Sequence, residues 1–266
     1  MTIYKGTRIT AANFFKKMQE ILLAEGYEDK SNPNNDSKVF LTTGVDGKSP
    51  FYVYLANSTG GAINIGIYEA WDGVATLSGE EHPCITWHAS SSSTSSIFDY
   101  TINITKDRII IAVSAVQAVS GLTSLTYAGL IKRYDPADIG GGAATLTFTT
   151  RHKAASTGST IPLLRDRSSR PLNEYGLAYT SGSSPTGWGN KLLTCPIYVA
   201  GTGNGTNGNS EEGLRGELHD LLYTHRDAPY QTGDIVTHEG NQYMAVRTSG
   251  YRGYRGLYPY LFLLKV

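Results

Sequence analysis

Lys106-Asp107-Arg108-Ile109-Ile110-Ile111-Ala112-Val113 is the stretch that decides the fold, because every position after Arg108 is apolar. A strand with one face in water alternates apolar and polar residues. An unbroken apolar run bounded by a turn is a strand buried on both faces, and hence a central one. Lys106-Asp107 is that turn. Phe98 to Thr105 precedes it and alternates with period two, so the two segments read as an antiparallel hairpin. Downstream, Ser124-Leu125-Thr126-Tyr127-Ala128-Gly129-Leu130-Ile131 is entered through Ser120-Gly121. It stops near Tyr134-Asp135-Pro136, where proline removes a ladder donor.

Toward the N-terminus, Val39 to Thr43 and Phe51 to Leu55 flank Val45-Asp46-Gly47-Lys48, in which Asp-Gly supplies the positive φ angles of a hairpin turn. Asn57-Ser58-Thr59-Gly60-Gly61 then leads to Ala62 to Tyr68, whose isoleucines at alternate positions put one apolar face on a core. Six strands in sequential order predict an antiparallel meander. A helix is expected over residues 11 to 25. Thr10 is its N-cap, Phe14, Phe15, Met18, Ile21 and Leu22 form one stripe, and Gly26 suits the left-handed C-terminal position. The stripe is read as the face that packs across the sheet.

The second half changes character. Ile139-Gly140-Gly141-Gly142 and the Ser/Gly/Pro-rich stretch from Ser181 to Gly189 enclose one clear strand, Thr145 to Thr150. Regular structure is expected again at Leu192 to Val199 and breaks at the Gly/Asn tract from Gly201 to Asn209. That tract lacks the strand-to-helix context of a phosphate-binding loop. Leu214 to Tyr223 is a strand. Asp234 to Thr237 and Gln242 to Val246 form a hairpin around Glu239-Gly240-Asn241. The closing segment Tyr258 to Val266 is an apolar strand, which must be covered by this fold or by a neighbour. The fold class is therefore mainly β (α+β): an antiparallel β meander or sandwich with one N-terminal helix, followed by a loop-rich second β region. The expected division is a helix-plus-sheet unit over 1–135, a loop-rich connection over 136–192 and a small β unit over 193–266. Whether the two halves share a core stays open.

Twenty-three basic and 23 acidic residues give a net charge of zero, so no global field recruits nucleic acid or an anionic membrane. The 18 tyrosines fit both strand propensity and contact surfaces, where the ring supplies area at small entropic cost. Cys84 and Cys195 have no Cys-x-x-Cys or zinc spacing and read as reduced and inert. The first residues, Met1 to Lys5, lack the apolar core of a signal peptide, and no apolar run is long enough for a membrane helix, which predicts synthesis in the cytoplasm.

No constellation specifies catalysis, a cofactor or a metal. The pairs His82/His88 and His219/His225 are each six apart, which is neither helical nor zinc-finger spacing. Glu211, Glu212, Glu217 and Asp220 could pair as carboxylates, but nothing in the sequence sets their separation. Ser90 to Ser96 is a polar low-complexity loop without a nucleophile elbow. Arg165, Arg167 and Arg170 cluster within six residues, and Tyr251-Arg252-Gly253-Tyr254-Arg255-Gly256 interleaves aromatic and guanidinium groups. Such planes stack on single-stranded bases, yet they are also the residues of protein-protein hot spots, and the neutral charge favours the second use. Tyr251, Arg252, Tyr254, Arg255, Tyr258, Tyr260 and Phe262 are accordingly the expected interface residues.

Taken in order, Ala24-Glu25-Gly26-Tyr27, Thr43-Gly44-Val45-Asp46-Gly47 leading into Tyr52-Val53-Tyr54, the strand from Lys106 to Val113, Tyr127-Ala128-Gly129, Leu214 to Leu218 and Gly233-Asp234-Ile235-Val236 carry a resemblance. The chain resembles a family of tailed-bacteriophage virion structural proteins. The resemblance implies an assembly role at the tail, neck or baseplate, with other virion proteins as partners and no catalytic residues. The expected product is a symmetric homo-oligomer in the virion. The alternative from another class is a receptor- or carbohydrate-binding protein at a fibre or tail tip, with Trp71, Trp87 and Trp188 as stacking candidates.

Overall fold

The computed structural model describes residues 1–33, 36–58, 62–68, 70–73, 77–78, 85–87, 97–115, 123–134, 143–148, 194–200, 214–224, 228–247 and 261–266. The chain opens with β1 (Thr2–Thr10), which sequence reading missed. Its alternation is broken midway: the register against its partner shifts between Gly6 and Ile9, and Arg8 sits at φ 53°. A bulge of this kind moves the apolar residues off a fixed period and so hides the strand.

Helix α1 (Ala11–Ala24) follows directly and has the expected ends. The Thr10 hydroxyl accepts from the Asn13 amide at 3.4 Å. At the other end Gly26, at φ 79°, lets the Tyr27 amide donate to Leu22 O and the Gly26 amide to Leu23 O, both at 3.0 Å. This pair of bonds is a Schellman cap, which satisfies the last carbonyls of the helix.

A small antiparallel sheet comes next. It contains β2 (Glu28–Asp29), β3 (Lys38–Thr42), β4 (Phe51–Ser58) and β5 (Ala62–Tyr68) in sequence order. A separate two-stranded ribbon, β6 (Ala70–Trp71) with β7 (Leu77–Ser78), precedes β8 (Ile85–Trp87), which completes the small sheet beside β5. The β3–β4 connection differs from the expected Asp-Gly hairpin. Gly44 and Gly47 carry the positive φ angles, at 75° and 70°, and the Gly47 amide bonds Gly44 O at 3.4 Å. Asp46 instead caps the turn through its carboxylate, accepting from the Lys48 amide at 2.8 Å.

The large sheet contains β9 (Ile97–Thr105), β10 (Arg108–Ala115), β11 (Thr123–Arg133), β12 (Ala143–Phe148), β13 (Thr194–Ala200), β14 (Leu214–Thr224), β15 (Ile235–His238), β16 (Asn241–Arg247) and β17 (Leu261–Lys265). Its order is β1-β9-β10-β11-β14-β17-β16-β15, with β12 also on β11 and β13 also on β14. The six strands expected to form one meander therefore divide, β3 to β5 in the small sheet and β9 to β11 in the large one.

Strand β11 joins the halves of the large sheet. Leu125 to Leu130 pair with β12, whereas Ile131 to Arg133 pair with Gly216 to Leu218 of β14. The sheet and its core thus contain residues from before position 135 and after position 193. Its second half curls until its two margins touch, with Thr194 Oγ1 on β13 lying 2.8 Å from His238 Nε2 on β15. The β15–β16 hairpin turns through Glu239 and Gly240, at φ 49° and 76°, with His238 opposite Asn241. This is the two-residue turn chemistry that the β3–β4 connection lacks.

Strand β10 is buried on both faces, as its composition requires. Ile109, Ile111 and Val113 enter a core shared with α1 and with Phe40, Val53, Leu55 and Ile65 of the small sheet. Ile110 and Ala112 enter a second core with Tyr127, Leu221, Met244, Phe262 and Leu264. Each fully buried isoleucine contributes about 1.5–3 kcal/mol over an exposed one. Strand β17 repeats the arrangement: Phe262 and Leu264 face the second core, Leu261 and Leu263 a third one with Val236 and Tyr243. It lies between β14 and β16, so the apolar closing strand is covered by its own fold.

The two sheet halves meet where β10 begins. A Cβ on Gly129 would approach Arg108 Cα and Asp107 O at 2.4 Å. We expect Gly129→Ala to destabilise the fold by roughly 3 kcal/mol through overpacking. Gly47→Ala, which meets nothing within 4 Å, should cost only about 1–2 kcal/mol for its left-handed backbone. Urea unfolding of both variants checks the close approach, and equal losses would refute it.

Candidate functional site

Arg108 opens the all-apolar strand at an even-numbered position, so its side chain shares a face with Ile110 and Ala112 and points into the second core. It is 1% exposed, the one cation among the largest fully buried side chains of the described residues. Burying a guanidinium is tolerable only if its donors are bonded and its charge is opposed. Nη2 and Nε donate to Asp220 Oδ2 at 2.6 and 3.2 Å, and Nη1 donates to Asn103 Oδ1 at 2.8 Å.

The backbone is shaped to deliver those partners. Asp220 sits at φ 55° and interrupts β14 between residues 216–218, which pair with β11, and residues 221–224, which pair with β17. At that interruption its carboxylate meets Arg108 and comes within 3.9 Å of Lys265 Nζ. Asn103 on β9 is also fully buried, and its amide donates to the main-chain oxygen of Lys265. One guanidinium thereby ties together β9, β10, β14 and β17.

Tyr127 and His219 complete the cluster. The Tyr127 hydroxyl donates to Leu130 O and accepts from the His219 amide at 3.3 Å. Burial raises the phenol pKa far above its ordinary value, so the hydroxyl stays protonated as the donor that Leu130 requires. Burial also lowers the pKa of the His219 imidazole, partly offset by the Asp220 carboxylate. With each guanidinium nitrogen bonded to a neighbour, Arg108 acts as a structural latch between the strands.

A second polar device lies at the far end of β16. Arg247 Nη2 donates to Ala228 O and Tyr230 O at 2.7 and 2.8 Å, and its amide donates to Thr232 Oγ1 at 3.0 Å. This clamp holds residues 228–232 against the third core, where Ala228 and Tyr230 pack. Arg247 is paired with Leu261 of β17. The described residues on either side of 248–260, Arg247 and Leu261, are thus paired neighbours in the sheet.

Of the expected interface residues, Tyr251, Arg252, Tyr254, Arg255, Tyr258 and Tyr260 lie outside the described residues. Phe262 is 1% exposed in the second core and packs edge-on against Tyr223, with ring centroids 5.9 Å apart. Its period-two position on an inner strand accounts for this placement. Glu211, Glu212, Arg165, Arg167, Arg170, Ser90 to Ser96, Cys84, His82, His88, His152 and His225 also lie outside the described residues.

Glu217 and Asp220 fall on one strand with separate cations. Glu217 Oε1 pairs with Lys132 Nζ at 2.7 Å, and Asp220 pairs with Arg108. His219 and His238 are on different strands, and no three His, Cys, Asp or Glu side chains converge among the described residues. The Arg108 latch was not visible in the sequence. Its only signal was a charged residue heading an otherwise apolar strand. No helix among the described residues is long and apolar enough to cross a membrane. Neither the family models nor the curated proteins contain a match to this chain.

Two predictions follow from the latch. Asp220→Ala leaves the buried guanidinium unopposed and should cost about 3–5 kcal/mol. The double variant Arg108→Met with Asp220→Leu should recover most of that loss. Urea midpoints measure both, and a double variant no more stable than the single one would show that the charge is not the cause. His219 has a folded pKa below its unfolded value of 6.5. Its contribution is therefore complete above pH 6.5 and is lost as pH falls through 6.5 toward the folded pKa. His219→Gln should flatten the pH dependence of the melting temperature in that window, and an unchanged slope would assign it to other groups.

Proposed function

We propose that this chain is a structural component of a tailed-phage virion, at the tail, neck, collar or baseplate, that assembles through protein-protein contacts without catalysis. The observation that carries this reading is the pairing of Arg247 with Leu261, which anchors both ends of a Tyr/Arg-rich segment to a rigid sheet. Rigid scaffolds with recognition residues on their connections are the common architecture of binding proteins. Tyrosine and arginine are the residues that carry most energy in such contacts. The sequence resemblance supports the same role, and the zero net charge suits contacts between copies of one chain.

A homo-oligomer built from one surface against a different surface of the next copy forms a ring where the rotation between copies closes. In this reading Tyr251, Arg252, Tyr254, Arg255, Tyr258 and Tyr260 form one side of that contact, with other virion proteins as further partners. Phe262 serves it indirectly, by holding β17 in place. Removing residues 258–266 would delete an inner strand, so a truncation would confound folding with assembly.

The discriminating variant replaces Tyr251, Arg252, Tyr254 and Arg255 together with alanine. We expect an unchanged melting temperature, loss of oligomers in sedimentation velocity, and loss of immunogold label from intact particles. Oligomers and label that persist in this variant would remove the segment from the assembly surface. A wild-type monomer absent from particles would overturn the virion reading itself.

A further inference from the structure

The small sheet has two unlike faces. Its inner face, with Phe40, Phe51, Val53, Leu55 and Ile67, belongs to the first core. On the outer face, directly paired residues place Glu28, Leu41, Tyr52 and Tyr68 in one row across β2 to β5. Val39, Tyr54 and Gly66 form the next row, with the Lys30 amide bonded to Val39 O at 2.8 Å at its margin. Val39 and Tyr68 are buried on this face, whereas Tyr52, Tyr54 and Trp71 are part-exposed and are the rings it offers to solvent.

The patch is ordered by specific contacts. Tyr68 lies back over Gly66, where a Cβ would meet its ring at 3.0 Å, and Tyr54 meets Tyr68 edge-on at 6.0 Å. The Trp71 indole N–H donates to Lys30 O at 2.8 Å, which engages the only donor of the ring and anchors it at the Lys30 margin. Strand β6, which carries Trp71, lies against β4, which carries Tyr52. The side chain of the same Lys30 pairs with Glu28, Nζ to Oε2 at 2.8 Å, with the two side chains 41% and 63% exposed. The ammonium has three donors and the carboxylate two oxygens, and their mutual bond uses one of each.

That combination selects a class of ligand. A charged partner gains little from a patch whose ion pair is neutral overall. An apolar partner would strip water from that ion pair without replacing its hydrogen bonds. A sugar ring matches both halves: its C–H face packs on an aromatic ring, and neighbouring hydroxyls donate to the carboxylate and accept from the ammonium. Aromatic walls with a few placed polar groups are the usual make-up of small-ligand sites.

We infer that the outer face of the small sheet is a binding site for a neutral saccharide, stacked on Tyr52 and Trp71 and hydrogen-bonded by Glu28 and Lys30. The site is independent of the assembly role proposed above. The test is calorimetric titration of the full chain with chitotetraose, maltohexaose and cellohexaose. At least one should bind with a Kd in the millimolar range or tighter. Tyr52→Ala and Glu28→Gln should each weaken that binding by about tenfold, at an unchanged melting temperature. Trp71→Phe, which keeps a ring but loses the bond to Lys30, should weaken it less than Trp71→Leu. Absence of heat with all three oligosaccharides, or binding unchanged in both Tyr52→Ala and Glu28→Gln, would overturn the assignment.

Discussion

The pairing of Arg108 with Asp220 is the contact on which the remaining architecture depends. A guanidinium at 1% exposure is tolerated only with its opposing charge and its hydrogen-bond partners in place. Those partners come from β9 and from β14, and the β9 partner also binds the main chain of β17. A mispaired arrangement of the two sheet halves would strand that charge in an apolar core.

Around it, the layering follows from two strands with no polar face. Strand β10 separates the first core from the second, and β17 separates the second from the third. Each is flanked on both sides by antiparallel partners, so their backbone groups are bonded within the sheet. The arrangement places β17 between strands that precede it in sequence. Its pairing thus closes a gap already bordered by β14 and β16, and the Arg247 clamp stiffens the same end.

A frame of this kind leaves recognition to what it displays. Arg247 and Leu261, which flank the Tyr/Arg-rich segment of the sequence, are paired in the large sheet, and the outer face of the small sheet presents aromatic rings beside an ion pair. The two features belong to different sheets.

The sequence by itself determined the elements whose signals are local. These include the two-faced strand at Ile109 to Val113, the helix with its Thr10 and Gly26 caps, the Glu239-Gly240 hairpin and the mainly antiparallel β class. Each depends on the period or backbone preference of residues adjacent in the chain. The division of six strands between two sheets, the inner position of β17 and the meeting of Arg108 with Asp220 depended on tertiary structure alone. The last pair is 112 residues apart, and neither residue carries a local mark of the other. Strand β1 was hidden for a related reason, since its bulge breaks the period on which recognition relies. The outer aromatic face shows the same limit: Tyr52 and Tyr54 alternate visibly along their strand, but only the pairing register places Glu28 in a row with Tyr52 and Tyr68, and Lys30 at the edge of the next row, which holds Tyr54. Long-range register is set by which cores can close together, and that information is spread over the whole chain.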